Sequence, residues 1–189
     1  MSSTTLKALT RANIAILKQK TSLIQILKSR FGDEAAPLYS QTCPIVKASV
    51  GQHIRHSTDH IELAARSVEA SNLHELHYDV RVRGGRDEGD IDEAQERIER
   101  VCQLLTSMNI NAANTDRPIQ ACFMLSADPT EFHLPSSIAR ELGFATHHAI
   151  HHMAMIKIIA SETLSIPNEE LPPDFGRAPS TIVHDNSQS

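Results

Sequence analysis

The chain contains no tryptophan, and its two tyrosines and five phenylalanines bring the aromatic share to only 4%. A core must then be filled by Leu, Ile, Val, Ala and Met, the usual packing of helix on helix, which favours a bundle over a β-sandwich. Cysteine is scarce as well: Cys43, Cys102 and Cys122 are odd in number and widely spaced, with no CxxC pair. They read as ordinary reduced thiols rather than a disulfide frame or a cysteine zinc site, which fits an intracellular setting. Basic residues are not in excess, since 18 Lys and Arg against 23 Asp and Glu leave a formal charge of −5. Nothing here supplies an electrostatic footprint for nucleic acid. No run approaches the ~18 apolar residues of a spanning helix, and the opening segment lacks the apolar stretch of a secretory signal. Neither nucleic acid nor a membrane is therefore expected as a partner, and the expected location is cytoplasmic.

What is present is an ordinary soluble balance, 40% apolar and 22% charged over 189 residues, enough for one domain that buries a core without staples. There is no internal repeat and no low-complexity segment. The expectation is an all-α fold in a single domain over residues 1–189, with a flexible tail from about residue 180.

Four helices carry that expectation. Leu6, Leu9, Ile16, Leu17, Leu23, Ile24 and Leu27 have a loose helical spacing between Thr5 and Arg30, closed by Gly32. Residues 33–50 hold Pro37 and Pro44 and no sustained period, so a surface connection is expected there. A second helix starts near Ser49, with Val50, Ile54, Ser57, Ile61, Ala64, Ala65 and Val68 on one face. Residues 71–90 contain Tyr78-Asp-Val-Arg-Val-Arg-Gly-Gly, too brief and polar for a core strand, and read as an ordered loop. The third helix is marked by Ile91, Ala94, Ile98, Val101, Cys102, Leu105 and Met108. Glu88 and Asp90 fit as acids at its amino terminus, where the helix dipole favours them. The run from Pro118 to Leu125 is an extended excursion or strand. A fourth helix then follows Pro135-Ser136-Ser137 and runs to about Ser161.

Eleven histidines are many for this length, and they cluster. His53, His56 and His60 share one stripe of the second helix, with His74 and His77 after it. His147, His148, His151 and His152 crowd the fourth. Histidines four apart on a helix stand one above the other and can aim at one ion. At about 100° per residue, His148 and His152 border the apolar stripe Ile138, Leu142, Ala149, Met153, Ile156 and Ala160. His147 and His151 point to the far side. A third ligand would come from His53, His56 or His60, and spacing does not choose among them. Three neutral imidazoles leave a position open for water or substrate.

The ordered set Gly51-Gln-His-Ile-Arg-His56-Ser-Thr-Asp59-His60, Tyr78-Asp-Val-Arg-Val-Arg, Pro135-Ser-Ser, Arg140-Glu-Leu, His148-Ala-Ile-His151-His152 and Phe175-Gly-Arg-Ala-Pro-Ser-Thr resembles the DinB-like superfamily over roughly residues 20–182. The resemblance implies a four-helix bundle of DinB-like type. It also implies a divalent metal held by His56, His148 and His152. Members include S-transferases that use low-molecular-weight thiols, related isomerases, hydrolases, and the amino-terminal part of ergothioneine-type sulfoxide synthases. The last is not expected, because this chain carries no second catalytic domain. The HHRGQ continuation of some members is replaced by His151-His152-Met153-Ala154-Met155.

The functional expectation is a transferase or hydrolase acting on a small molecule, with zinc, nickel or ferrous iron as its metal and a low-molecular-weight thiol as a further candidate cofactor. Imidazole suits all three ions. Tyr78, Arg81, Arg83 and Arg140 are candidate pocket residues, since guanidinium groups suit carboxylates and thiolates. A salt-linked loop pinned against Arg140 and Glu141 is the other reading of that segment. The competing class is a metal-binding or dimerising bundle without turnover.

Overall fold

The computed structural model describes residues 3–70, 74–80, 84–108 and 117–188. Most of the described chain is helical, in α1 (Ser3–Phe31), α2 (Ala35–Ser40), α3 (Val50–Glu69), α4 (Ile91–Ser107), α5 (Ile138–Glu162) and α6 (Pro179–Gln188). The strands are β1 (Glu75–His77), β2 (Pro118–Met124) and β3 (Glu131–Ser137).

Four long helices pack together, each of α1 and α3 lying against both α4 and α5. Cross-links give their directions. Asn13 reaches the carbonyl of Leu142 while Arg30 pairs with Glu170 beyond the far end of α5, so α1 and α5 run parallel. His53 meets His152 and His60 stacks on His148, so α3 runs against α5. Gly51 abuts Glu88 and Asp59 meets Arg97, so α3 and α4 run parallel. Parallel neighbours need a long return connection, and residues 70–90 supply it.

Local signals explain the helix boundaries. Ser49 caps α3 in a reciprocal box with Gln52, worth about 1 kcal/mol. Asp90 caps α4 through the amides of Asp92 and Glu93. Glu88 does not cap and instead binds Arg55. Ser137 caps α5 by accepting from the Arg140 amide. The expected apolar stripe of α5 is wholly buried, as is that of α3. In α1 Leu6, Thr10, Asn13, Leu17, Lys20, Ile24 and Leu27 form a buried seam that alternates by four and three, with Leu23 buried beside it. Leu9 and Ile16, on the expected face, are only partly buried.

Three expectations need correction. The fold is not all-α, because β1 pairs parallel with β2 and β2 pairs antiparallel with β3. The segment before Tyr78 is therefore an edge strand rather than a loop, its polar residues facing out and Leu76 facing in. The connection after Gly32 contains α2, whose Tyr39 is fully buried and donates to the Asp87 carbonyl. From residue 179 the chain forms α6, none of whose residues is buried.

The sheet sits where α3 and α4 end and α5 begins, and Arg117 fastens it by donating to the carbonyls of Ser67 and Ala70. Two glycines permit close packing elsewhere. A Cβ on Gly51 would lie 2.1 Å from the Glu88 carbonyl oxygen, and Gly176, at φ +68°, presses on the backbone of α5 at Met153. No described helix is long and apolar enough to cross a membrane.

Candidate metal centre

The antiparallel contact of α3 and α5 brings two histidine clusters face to face. The Nε2 of His148 lies 3.0 Å from the Nε2 of His56 and 3.0 Å from that of His152. The three rings stand nearly perpendicular to one another, at 74° to 77°, so their in-plane lone pairs can converge. A single N–H on His148 cannot lie along both lines at once. Nitrogens 3.0 Å apart, each at ~2.1 Å from a shared ion, subtend roughly 90° there. Donors of His56, His60 and His148 all lie within 4.8 Å of one another, a spacing that could hold a metal ion.

Burial keeps the His152 imidazole neutral, as metal ligation requires. Burial first, and the neighbouring histidines next, hold His152 far below the ordinary histidine range, at about 2. His152 is also fixed from behind, its Nδ1 lying 2.7 Å from the Nδ1 of His53. His147 and His151 are exposed, and the His151 ring lies 5.4 Å from that of His152.

His60 brings a ring nitrogen within 4.8 Å of donors on His56 and His148. Its ring lies nearly flat on His148, with centroids 4.3 Å apart and planes 22° apart. Both His60 nitrogens are buried without a hydrogen-bond partner, and burial pushes the ring down to about 3.

A cleft of about 350 Å³ opens beside the cluster, lined by Ala48, Gln52, His53, Arg55, His56, Glu88 and His152. Two of the three convergent histidines thus face open space. The wall opposite is charged, with Arg55 Nη1 2.5 Å from Glu88 Oε2. Behind it, Arg97 joins Asp59, Glu62 and Asp87, each at 2.7 Å.

The other sequence candidates fall elsewhere. Tyr78 is buried, donates to Glu141 Oε2 at 2.8 Å, and lines a separate cavity of about 220 Å³ with His60, Asp59 and Arg97. Arg140 pairs with Glu141 at 2.6 Å and lies over the Phe144 ring. Glu141 is wholly buried and also accepts from Ser136. Arg81 and Arg83 lie outside the described residues.

Sequence reasoning missed Lys20. It is fully buried, donates to Thr58 Oγ1 at 3.1 Å, and is held down to about 7, chiefly by burial and then by Arg97. Its position, three after Leu17 and four before Ile24, is the signal that could have placed it in the seam.

Comparison with known proteins adds little. No family model matches the chain, and no solved structure matches it. A curated protein of Rhizopus delemar named FK506-binding protein 5 is 36% identical over 114 residues, which is 60% of this chain. The match covers 28% of that relative's length. Its name describes a protein far longer than the shared region.

Proposed function

We propose that this chain is a metal-dependent enzyme of the DinB-like kind, a transferase or hydrolase acting on a small molecule, with His56, His148 and His152 as metal ligands. The observation that carries this reading is the cleft against His56 and His152, because a catalytic site keeps a coordination position open where a structural one is closed. A divalent ion held there would lower the pKa of a bound thiol or water and so provide a nucleophile at neutral pH.

The chain's own residues do the positioning. His53 holds the His152 ring, the α3–α5 packing fixes the spacing of the imidazoles, and Arg55 with Glu88 forms a charged wall that orients a polar substrate. A low-molecular-weight thiol fits the cleft's size and polarity. The second reading, a bundle whose metal only stabilises the fold or a homodimer, has no use for an open cleft at the ligands.

Untagged protein, and its His56→Ala, His148→Ala, His152→Ala and His147→Ala variants, should be assayed for bound metal by mass spectrometry. Stoichiometric metal lost in the first three and kept in the fourth is expected. Thiols paired with electrophiles, and ester or amide substrates, are then screened with the loaded protein. Wild type that takes up no zinc, nickel or iron would sink the reading, and a loaded protein without turnover would favour the structural one.

A further inference from the structure

A second group of donor side chains lies on the outer face of the sheet, away from the histidine cluster of the bundle. The register pairs His77 with Cys122 and Cys122 with His133, so these three stand in one row across β1, β2 and β3. Side chains two apart on a strand share a face, which adds Glu75 beside His77 and Glu131 beside His133. The other face carries Leu76, Ile119 and Ala121, all buried.

Contacts within the row are close. His133 Nδ1 lies 3.5 Å from Cys122 Sγ and 3.2 Å from Glu75 Oε1, and donors of these three residues all fall within 4.8 Å of one another. His77 Nδ1 is held by Glu131 at 2.7 Å, and its Nε2 lies 3.5 Å from Glu75 Oε2. Cys122 itself is buried beneath these groups.

Two simpler readings fail. Surface ion pairs account for His77 with Glu131 but give no reason for a thiol among the carboxylates. A Cys-His-Glu catalytic relay needs the thiol at one imidazole nitrogen and the acid at the other. Here both meet Nδ1 of His133, and burial, with Glu75 and Glu131 nearby, pushes the thiol up rather than down. Donors crowded round one point are instead what a metal site presents.

We propose that this face is a second divalent metal site, with Cys122 Sγ, His133 Nδ1 and a Glu75 carboxylate oxygen as ligands. Sulfur, imidazole and carboxylate together suit Zn²⁺. The three ligands come from β1, β2 and β3, one from each strand, so the role of the site is structural. It clamps β1 to the β2–β3 hairpin, and that hairpin delivers the Ser137 cap of α5. Binding exchanges the thiol proton for the ion, and the proton leaves to solvent.

Cobalt distinguishes this site from the bundle site, because only a thiolate ligand gives a sulfur-to-cobalt charge-transfer band in the near ultraviolet. Chelator-treated, reduced full-length protein is titrated with Co²⁺ and then with Zn²⁺. The band should appear in wild type, in Cys43→Ser/Cys102→Ser and in His56→Ala/His148→Ala, and zinc should erase it. It should be absent in Cys122→Ser and strongly weakened in the exposed variant His133→Ala, both checked for wild-type helicity by circular dichroism. No band in wild type, or an undiminished band in Cys122→Ser, overturns the proposal whatever the bundle site binds.

Discussion

His53 Nδ1 lies 2.7 Å from His152 Nδ1, back to back with the nitrogen that faces His148. With the proton on His152 Nδ1 and donated to His53 Nδ1, the His152 Nε2 keeps the lone pair that an ion needs. Loss of such an orienting partner weakens a metal site without abolishing it. His53→Ala should lower affinity for the bundle metal roughly 10- to 100-fold, whereas His152→Ala should remove binding. Chelator competition measures both, with His147→Ala unchanged. Equal affinity in His53→Ala and wild type would show that the contact orients nothing.

Lys20 makes stability depend on pH in a defined direction. Its folded pKa, about 7, lies below the ordinary lysine value of 10.5. Between these values the unfolded chain holds the proton and the folded chain does not, so stability rises with pH across that window. The contribution is present above the unfolded pKa and is lost as pH falls toward 7. Urea unfolding of wild type should thus gain on the order of 2–4 kcal/mol relative to Lys20→Met between pH 7 and pH 10. Lys20→Met should be the more stable protein at pH 7, since it removes a buried amine whose hydroxyl partner, Thr58, still bonds the Ile54 carbonyl. A flat difference across the window would place the amine in solvent.

The same residue shows where sequence reading stopped. The faces of α3, α4 and α5 were legible because apolar residues fill them almost without a break, and an angular count put His148 and His152 on the inner border of α5. The seam of α1 was blurred because it holds Thr10, Asn13 and Lys20, of which Asn13 and Lys20 bond other helices in ways that spacing cannot show and the buried Thr10 hydroxyl has no hydrogen-bond partner. Helix α2 has six residues including Pro37, too few for a period. The sheet was mostly invisible, since β1 has three residues and β3 leaves Phe132 and Leu134 exposed, erasing the alternation that marks a strand. The row His77, Cys122, His133 exists only through strand register, and no spacing along the chain encodes it.

Arg97 joins three carboxylates, Asp59, Glu62 and Asp87, while its own side chain is 21% exposed. Burial raises the Asp59 carboxyl, and the arginines oppose that rise. Removing Arg97 leaves partly buried anions facing one another between α3 and α4. Arg97→Met should cost about 2–4 kcal/mol in urea unfolding, slightly below a fully buried pair because solvent reaches the guanidinium. The same change in Asp59→Asn/Arg97→Met should be smaller, since one repelling charge is gone. Equal losses in the single and double variants would mean that the two residues do not interact.

Gly51 links the fold to the bundle site through one contact. It opens α3 five residues before His56, and a methyl group there would meet the Glu88 carbonyl at 2.1 Å and the Tyr39 ring at 2.7 Å. Neither neighbour can yield easily, because Glu88 is tied to Arg55 and Tyr39 is fully buried and bonded to Asp87. Gly51→Ala must therefore push the start of α3 away from the turn at residues 86–88, which also forms a wall of the cleft. Destabilisation of about 3 kcal/mol is expected from overpacking against backbone, although alanine is the better helix former by nearly 1 kcal/mol. Metal affinity should fall with it, since His53 and His56 ride on the displaced turns. An alanine variant as stable as wild type, with unchanged affinity, would show that α3 can shift without moving its histidines.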